Sequence, residues 1–253
     1  MNKGAVYEDQ VYKALNKAAA GRYIEVVKPG PTFSNRHHDL ILVAPRWCCA
    51  LEVKHNSMAQ MGGTSVHYDE NTGEIKVVGK ANYDPMLFEL VNTSMNKRVK
   101  GINKLMRFLR SQSPVHYHRE KVNGFPLRAY KDAWTRASEA GMLKEIRTVI
   151  KQDISFITDH YAAKDVHYMQ IGGSGLFYLD ENTFKLPVPK LEGKVGIEIR
   201  PAPGGSVYDP TYAARVVGVE LRVTARLMNS TVKSGISLDN LADARTFIGL
   251  LPQ

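Results

Sequence analysis

The spacing of apolar positions changes several times along the chain, and each change predicts an element. In residues 4–20, GAVYEDQVYKALNKAAA, the residues Val6, Val11, Leu15 and Ala18 recur at helical intervals, and Gly21 supplies a stop. Tyr23 to Lys28 is a short β-rich run ended by Pro29-Gly30-Pro31. Two apolar runs follow, Leu40 to Ala44 and Trp47 to Leu51, separated only by Pro45-Arg46. Short runs of this kind around a two-residue breaker predict adjacent strands of a buried sheet. Ser65 to Tyr68 and Glu74 to Val78 flank Asp69-Glu70-Asn71-Thr72-Gly73, the signature of a hairpin, read as an insertion over 64–80. Pro85 to Leu109 carries Leu87, Leu90, Val91, Met95, Val99, Ile102, Leu105, Met106 and Leu109 on one face of a long helix. Residues 111–128 mix breakers with basic and aromatic side chains and read as a loop.

Further helix is expected over Ala129 to Gln152, bent near Gly141, and over Ile154 to Ala162. Strands are expected at His167 to Ile171, Leu176 to Leu179, Val195 to Arg200 and Ala214 to Thr224. Gly172-Gly173-Ser174-Gly175 is a turn, since no Gly-Lys-Ser/Thr follows to make a phosphate loop. Ser237-Leu238-Asp239 caps a final helix over Leu241 to Ile248. The alternation of helix and strand predicts an α/β fold with a central mixed sheet flanked by helices and extra β-rich segments near the C-terminus. The 253 residues suit one domain, with residues 1–60 carrying the core. Residues 165–253 either complete that sheet or add a target-reading region.

Composition changes this picture in one respect. The hydrophobic fraction of 43% is ordinary, but the net charge is +9 and the pI about 9.4. A basic balance favours polyanion partners, or it serves solubility alone. The two cysteines, Cys48 and Cys49, are neighbours on an expected strand. Strand neighbours face opposite sides, which argues against a disulfide and for small core residues of a reducing compartment. Met1-Asn2-Lys3 leads into no apolar leader, and no run approaches the length of a membrane span. These features point to a cytoplasmic protein without a membrane partner.

The chemistry concentrates at the open end of the first hairpin. Closing it around Pro45-Arg46 brings Asp39 and Glu52 together, and alternation puts Glu52 and Lys54 on one face. Two carboxylates and an ammonium on an apolar sheet suit a hard divalent cation and an activated water. Carboxylate oxygens bind Mg²⁺ and leave positions for water and phosphate, and a lysine orients the water or meets the charge on the phosphate. Arg36, His37 and His38 just ahead of Asp39, and Asn56 after Lys54, are placed to touch phosphates. Adjacent histidines without spaced partners do not make a zinc site. On the long helix, Lys97, Arg98, Lys100, Lys104 and Arg107 either track a DNA backbone or form a solvated face.

Asp39, a gap of twelve residues, then Glu52-x-Lys54 on consecutive strands resembles the PD-(D/E)xK nuclease superfamily. That superfamily includes restriction endonucleases, Holliday-junction resolvases and recombination exonucleases. The resemblance covers roughly the first 60 residues, and His38 stands where the motif has proline. It implies a restriction endonuclease-like fold and Mg²⁺-dependent DNA hydrolysis, with Mn²⁺ as a possible substitute. The metal would be held by Asp39, Glu52 and the Val53 carbonyl, with Lys54 positioning the attacking water or helping to deprotonate it. It also implies a homodimer, because cutting two strands needs two sites. Glu8 matches the metal-facing glutamate of the family's first helix, although its position alone equally fits a solvated helix face. Gln60 matches an accessory glutamine found beyond the lysine. A restriction-type endonuclease is the first expectation. A resolvase, an exonuclease or a DNA-binding module without turnover are the alternatives.

Overall fold

The computed structural model of the protein describes residues 2–29, 38–69, 72–77, 84–112, 128–203, 206–209, 214–217, 219–229 and 232–252. In chain order the elements begin with α1 (Lys3–Ala19), β1 (Glu25–Val27), β2 (Leu40–Ala44), β3 (Trp47–Lys54), β4 (Gln60–Asp69) and β5 (Glu74–Val77). Then come α2 (Pro85–Ser94), α3 (Asn96–Gln112), α4 (Arg128–Glu139), α5 (Met142–Ile146), β6 (Thr148–Asp153) and α6 (Ser155–Ala162). The chain continues through β7 (Tyr168–Ile171), β8 (Gly175–Tyr178), β9 (Lys194–Ala202), β10 (Ser206–Asp209), β11 (Ala214–Val217), β12 (Glu220–Asn229) and α7 (Leu241–Leu250). The class is mixed α/β, and the chain divides into two compact units. The first comprises residues 1–61, 151–196 and 225–253, the second residues 62–150 and 197–224.

The first unit is built on a five-stranded mixed sheet in the order β1-β2-β3-β7-β8. Its pairs are antiparallel except β3 with β7, which run parallel. Alternation along β3 sends Cys49, Leu51 and Val53 to one face, where Leu40 and Leu42 of β2 join them. Val11 and Leu15 of α1 and Phe247 and Ile248 of α7 close over that face, and all four are fully buried. Burying such side chains contributes roughly 1.5–3 kcal/mol each, so this seam is the main source of the unit's stability.

A polar knot crosses the same seam. The Gln170 side chain on β7 is fully buried and donates to the Tyr7 hydroxyl at 2.9 Å and to Ser237 Oγ at 3.0 Å. Its oxygen accepts from the Leu238 N–H at 2.9 Å, and Tyr7 donates to Asp239 at 2.9 Å. Burial pushes the Tyr7 hydroxyl well above its ordinary range, so it stays neutral. Both ends of the Gln170 amide are therefore satisfied by α1 and by the segment entering α7, as a buried amide requires.

A second five-stranded sheet runs in the order β5-β4-β12-β9-β6, with β10 and β11 paired separately. The hairpin foreseen near Ser65 forms its edge as β4 and β5, with Val66 opposite Val77. Helices α3, α4 and α5 pack together there around Ile102, Leu105, Met106, Leu109, Ala133, Ala137 and Ile146.

Several expectations are corrected. The long helix breaks at Met95, because Thr93 and Ser94 turn their hydroxyls back onto the Glu89, Leu90 and Val91 carbonyls, and such back-bonding bends helices. Residues 148–153 are strand, not helix, in keeping with the β-branched run Thr148-Val149-Ile150. Ala214 to Thr224 is two strands, not one. Asn240, not Ser237, caps α7 by accepting from the Asp243 N–H at 2.9 Å, while Asp243 reaches back to the Ser237 N–H at 2.8 Å. Cys48 is exposed and only Cys49 is core; both are free thiols. No helix among the described residues is long and apolar enough to cross a membrane.

Gly172 marks where β7 leaves the sheet. Its N–H donates to the Lys54 carbonyl at 2.8 Å, and a Cβ there would overlap the His55 carbonyl oxygen. Backbone cannot yield as a side-chain tip can, so Gly172→Ala should destabilise the protein by about 1–3 kcal/mol or more. A chemical-denaturation midpoint equal to wild type would contradict this reading of the β3–β7 junction.

Candidate active site

The ladder between β2 and β3 ends with Leu40 opposite Leu51, and extending its register by one step puts Asp39 next to Glu52, whose charge it feels. Opposed residues on antiparallel strands have Cβ atoms about 4.5–5.5 Å apart and share a face. That face is the one turned away from α1 and α7, since Leu51 and Val53 take the other. The carboxylates are anchored differently. Asp39 Oδ2 accepts the Val53 N–H at 2.8 Å, a bond that ties it to β3 where the β2–β3 ladder ends. Glu52 is 7% exposed, and its Oε1 takes the Lys54 ammonium at 2.5 Å and the Tyr161 hydroxyl at 3.1 Å.

Tyr161 comes from α6 and is the site residue that sequence spacing did not reveal. It lies 109 positions from Glu52, and no motif links the two. Its hydroxyl also meets the Met61 carbonyl, and the Lys54 and Lys164 ammonium groups lie 5.7 and 5.5 Å from its ring centre. Burial, then the Glu52 charge, pushes its hydroxyl far above the ordinary range, so it acts as a neutral donor.

The electrostatics follow from crowding two acids on an apolar sheet. Burial, and then the Glu52 carboxylate, pushes Asp39 up to about 7, with Glu8 adding to the rise. Burial alone would lower Lys54, but Glu52, Tyr161 and Asp39 more than offset it, and the ammonium is held well above its usual value. Lys54 is thus a fixed positive charge, unsuited to accept a proton.

Each carboxylate keeps one oxygen, Asp39 Oδ1 and Glu52 Oε2, without a hydrogen-bond partner among the described residues. No group of three or more His, Cys, Asp and Glu side chains that could hold a metal ion occurs among those residues. That is poor for Zn²⁺ but compatible with Mg²⁺, which is held by one or two carboxylates and completes its shell with water and phosphate. One unpartnered carboxylate oxygen on each of two neighbouring chain segments, with Asp39 raised by burial and then by the Glu52 charge, fits that donor set.

The other foreseen residues scatter. Glu8 pairs with Lys28 at 3.1 Å and reaches Asp39 only through its charge. Gln60 is exposed at the start of β4 rather than one or two helical turns beyond the lysine. Asn56 holds its own turn, its Oδ1 accepting the Met58 N–H at 2.9 Å. His38 is half-buried beside Asp39, and Arg36 and His37 lie outside the described residues. On α3, Lys97, Lys100, Lys104 and Arg107 are exposed or half-exposed, Lys104 being paired with Glu145 at 2.6 Å. Arg98 is 4% exposed and donates to the Ser94 carbonyl, so it braces the α2–α3 break and is removed from any phosphate. Compared with known protein families, curated proteins and solved structures, the chain matches none.

The raised Asp39 has a consequence for stability. Unfolded, the group titrates near 3.8, and folded near 7, so between these values the native state holds the extra proton. Stability is therefore lost as pH rises through that window when no cation is present. In chelator at pH 8, Asp39→Asn should be more stable than wild type by about 1–3 kcal/mol, and the gain should close by about pH 4. Urea melts across pH check it; an Asn variant no better at pH 8 than at pH 4 would refute the electrostatic account.

Proposed function

We propose that this protein is a Mg²⁺-dependent DNA phosphodiesterase of the restriction endonuclease-like type, acting as a homodimer that cuts both strands. The observation that carries the reading is the placement of Asp39 opposite Glu52, each with one unpartnered oxygen among the described residues, beside an ammonium fixed on Glu52. The mixed sheet β1-β2-β3-β7-β8, with α1 behind it, supports it further. A net charge of +9 suits a polyanionic substrate.

Asp39 Oδ1 and Glu52 Oε2 would hold the cation, with the Val53 carbonyl as the candidate third oxygen. The bound ion supplies Lewis-acid polarisation of the scissile phosphate and a water acidic enough to attack at neutral pH. The chain's own residues do the rest. The Val53 N–H fixes the direction of the Asp39 carboxylate. Tyr161 and Lys54 together fix Glu52 Oε1, so that its other oxygen is the one presented. Lys54 orients the attacking water and meets the negative charge that develops on the phosphate. Since its ammonium is held charged by Glu52, its part is electrostatic, and the proton of the attacking water leaves to solvent or to a phosphate oxygen.

Plasmid cleavage in Mg²⁺ tests this directly. Asp39→Asn and Glu52→Gln should each abolish cleavage in a protein with wild-type circular dichroism. Glu52→Ala is the poorer test, because leaving the buried Lys54 charge unpaired costs about 3–5 kcal/mol. Lys54→Ala should keep metal binding and lose about 100-fold or more in rate, and Lys54→Arg should rescue little, since the planar guanidinium cannot replace a compact point charge. Folded Asp39 or Glu52 variants that cut at the wild-type rate would exclude this site.

Duplex binding supplies a separate check. Changing Lys97, Lys100 and Arg107 together to Ala should flatten the salt dependence of DNA binding by about 0.9 for each phosphate that is no longer neutralised. An unchanged slope would mean that α3 is only a solvated face.

A further inference from the structure

A surface hollow lies at the other end of the same hairpin. Around the Pro45-Arg46 turn lies a cavity of about 330 Å³ bordered by Arg22, Tyr23, Ile24, Arg46, Trp47 and Pro252. All of these belong to the first unit. Trp47 and Glu52 sit at opposite ends of β3, five residues apart, on the order of 16 Å at strand rise. The carboxylate site and this cavity are therefore separate places on one sheet.

The wall has an unusual make-up for a surface hollow. Tyr23 is 92% exposed, the most exposed large apolar side chain among the described residues, and its hydroxyl has no partner among them. Trp47 is held in place: its indole N–H donates to the Pro252 carbonyl at 3.0 Å, and its ring packs edge-on against Phe184 at 5.3 Å. Arg22 and Arg46 are exposed, and neither guanidinium makes an ion pair or a hydrogen bond among the described residues. No acidic side chain borders the cavity. Trp47 packs against the core, but the exposed Tyr23 ring beside unpaired guanidinium groups lacks a structural reason within the unit, since neither contributes to that core.

One ligand chemistry answers both features. Aromatic rings stack on nucleobases regardless of sequence, and arginine forks match phosphate oxygens bidentately. The volume is at the small end of ligand pockets, enough for a single base-sized group and too small for a duplex. We propose that this cavity binds one unpaired nucleotide, with its base against Tyr23 and Trp47 and its phosphate on Arg22 and Arg46. The occupant is single-stranded nucleic acid or a free nucleotide, the same chemistry from two sources. The proposal does not depend on hydrolysis at Asp39 and Glu52, because it concerns binding alone.

The test uses the full chain in chelator, where cleavage is silent. Fluorescence anisotropy of a labelled single-stranded oligonucleotide and calorimetry with a free nucleoside monophosphate are the two probes. Tyr23→Ala removes an exposed ring without touching the core, and should weaken both probes by about 5-fold to 100-fold. Arg22→Ala with Arg46→Ala should weaken both and reduce the salt dependence. Oligonucleotide binding with no affinity for the monophosphate, if lost in Tyr23→Ala, supports the strand as occupant; monophosphate binding equal to that of the oligonucleotide supports the free nucleotide. Inorganic phosphate that competes as well as the monophosphate overturns the proposal, because the base then contributes nothing. Binding of single strands that is indifferent to Tyr23, Arg22 and Arg46 overturns it too, and assigns that binding to another surface. Loss of cleavage in Glu52→Gln with intact nucleotide binding, or the reverse in Tyr23→Ala, keeps the two proposals separable.

Discussion

The repulsion between Asp39 and Glu52 is the constraint around which the first unit is arranged. Burial penalises both charges, and the two carboxylates crowded on one sheet oppose each other's ionisation. A strand ladder whose only task was packing would not set two acids opposite each other at its buried end. Here the ladder does so, and three neighbours offset the cost: the Val53 N–H on Asp39, and the Lys54 ammonium and Tyr161 hydroxyl on Glu52. Burial, and then the Glu52 charge, outweigh these offsets and push Asp39 up to about 7. A partially relieved pair of this kind suits the approach of a positive charge. Under the proposed function, a divalent cation would supply what the protein's own groups leave unmet, and a phosphodiester would then have an electrophilic centre to approach.

Holding that arrangement requires a sheet that does not move. The α1–α7 seam supplies bulk apolar burial behind β2 and β3, while the Gln170 knot fixes α1, β7 and the entry to α7 to one another. The tight passage of Gly172 beside His55 locks β7 alongside β3 just past Lys54. The same strand carries Trp47 at its far end, so the Asp39 and Glu52 carboxylates and the proposed nucleotide pocket are set at a constant separation.

Much of this was legible in the chain. Apolar runs around Pro45-Arg46 foretold β2 and β3 within a few residues, and strand alternation foretold that Glu52 and Lys54 share a face. Asp39 opposite Glu52 followed from closing that hairpin. Local signals failed where tertiary contacts decide. The apolar stripe of 85–109 is continuous, so nothing in its period shows that the Thr93 and Ser94 hydroxyls bond back to the backbone where it breaks. Lysine and arginine look alike in a basic run, yet Arg98 is buried beneath the break while Lys97 and Lys100 remain outside. Tyr161 was invisible because its role depends on the long connection that returns α6 to the sheet. Tyr23, read only as a strand residue, stands almost wholly in solvent.

The central claim is that Asp39 and Glu52 form one cation site, and crystallography with manganese examines it most directly. Mn²⁺ suits the same oxygen ligands as Mg²⁺ and is visible by anomalous scattering. The account predicts a single strong anomalous peak between Asp39 Oδ1 and Glu52 Oε2, absent from crystals of Asp39→Asn. Manganese bound elsewhere in the first unit, or a site between these carboxylates that stays empty at saturating Mn²⁺ and neutral pH, would contradict it.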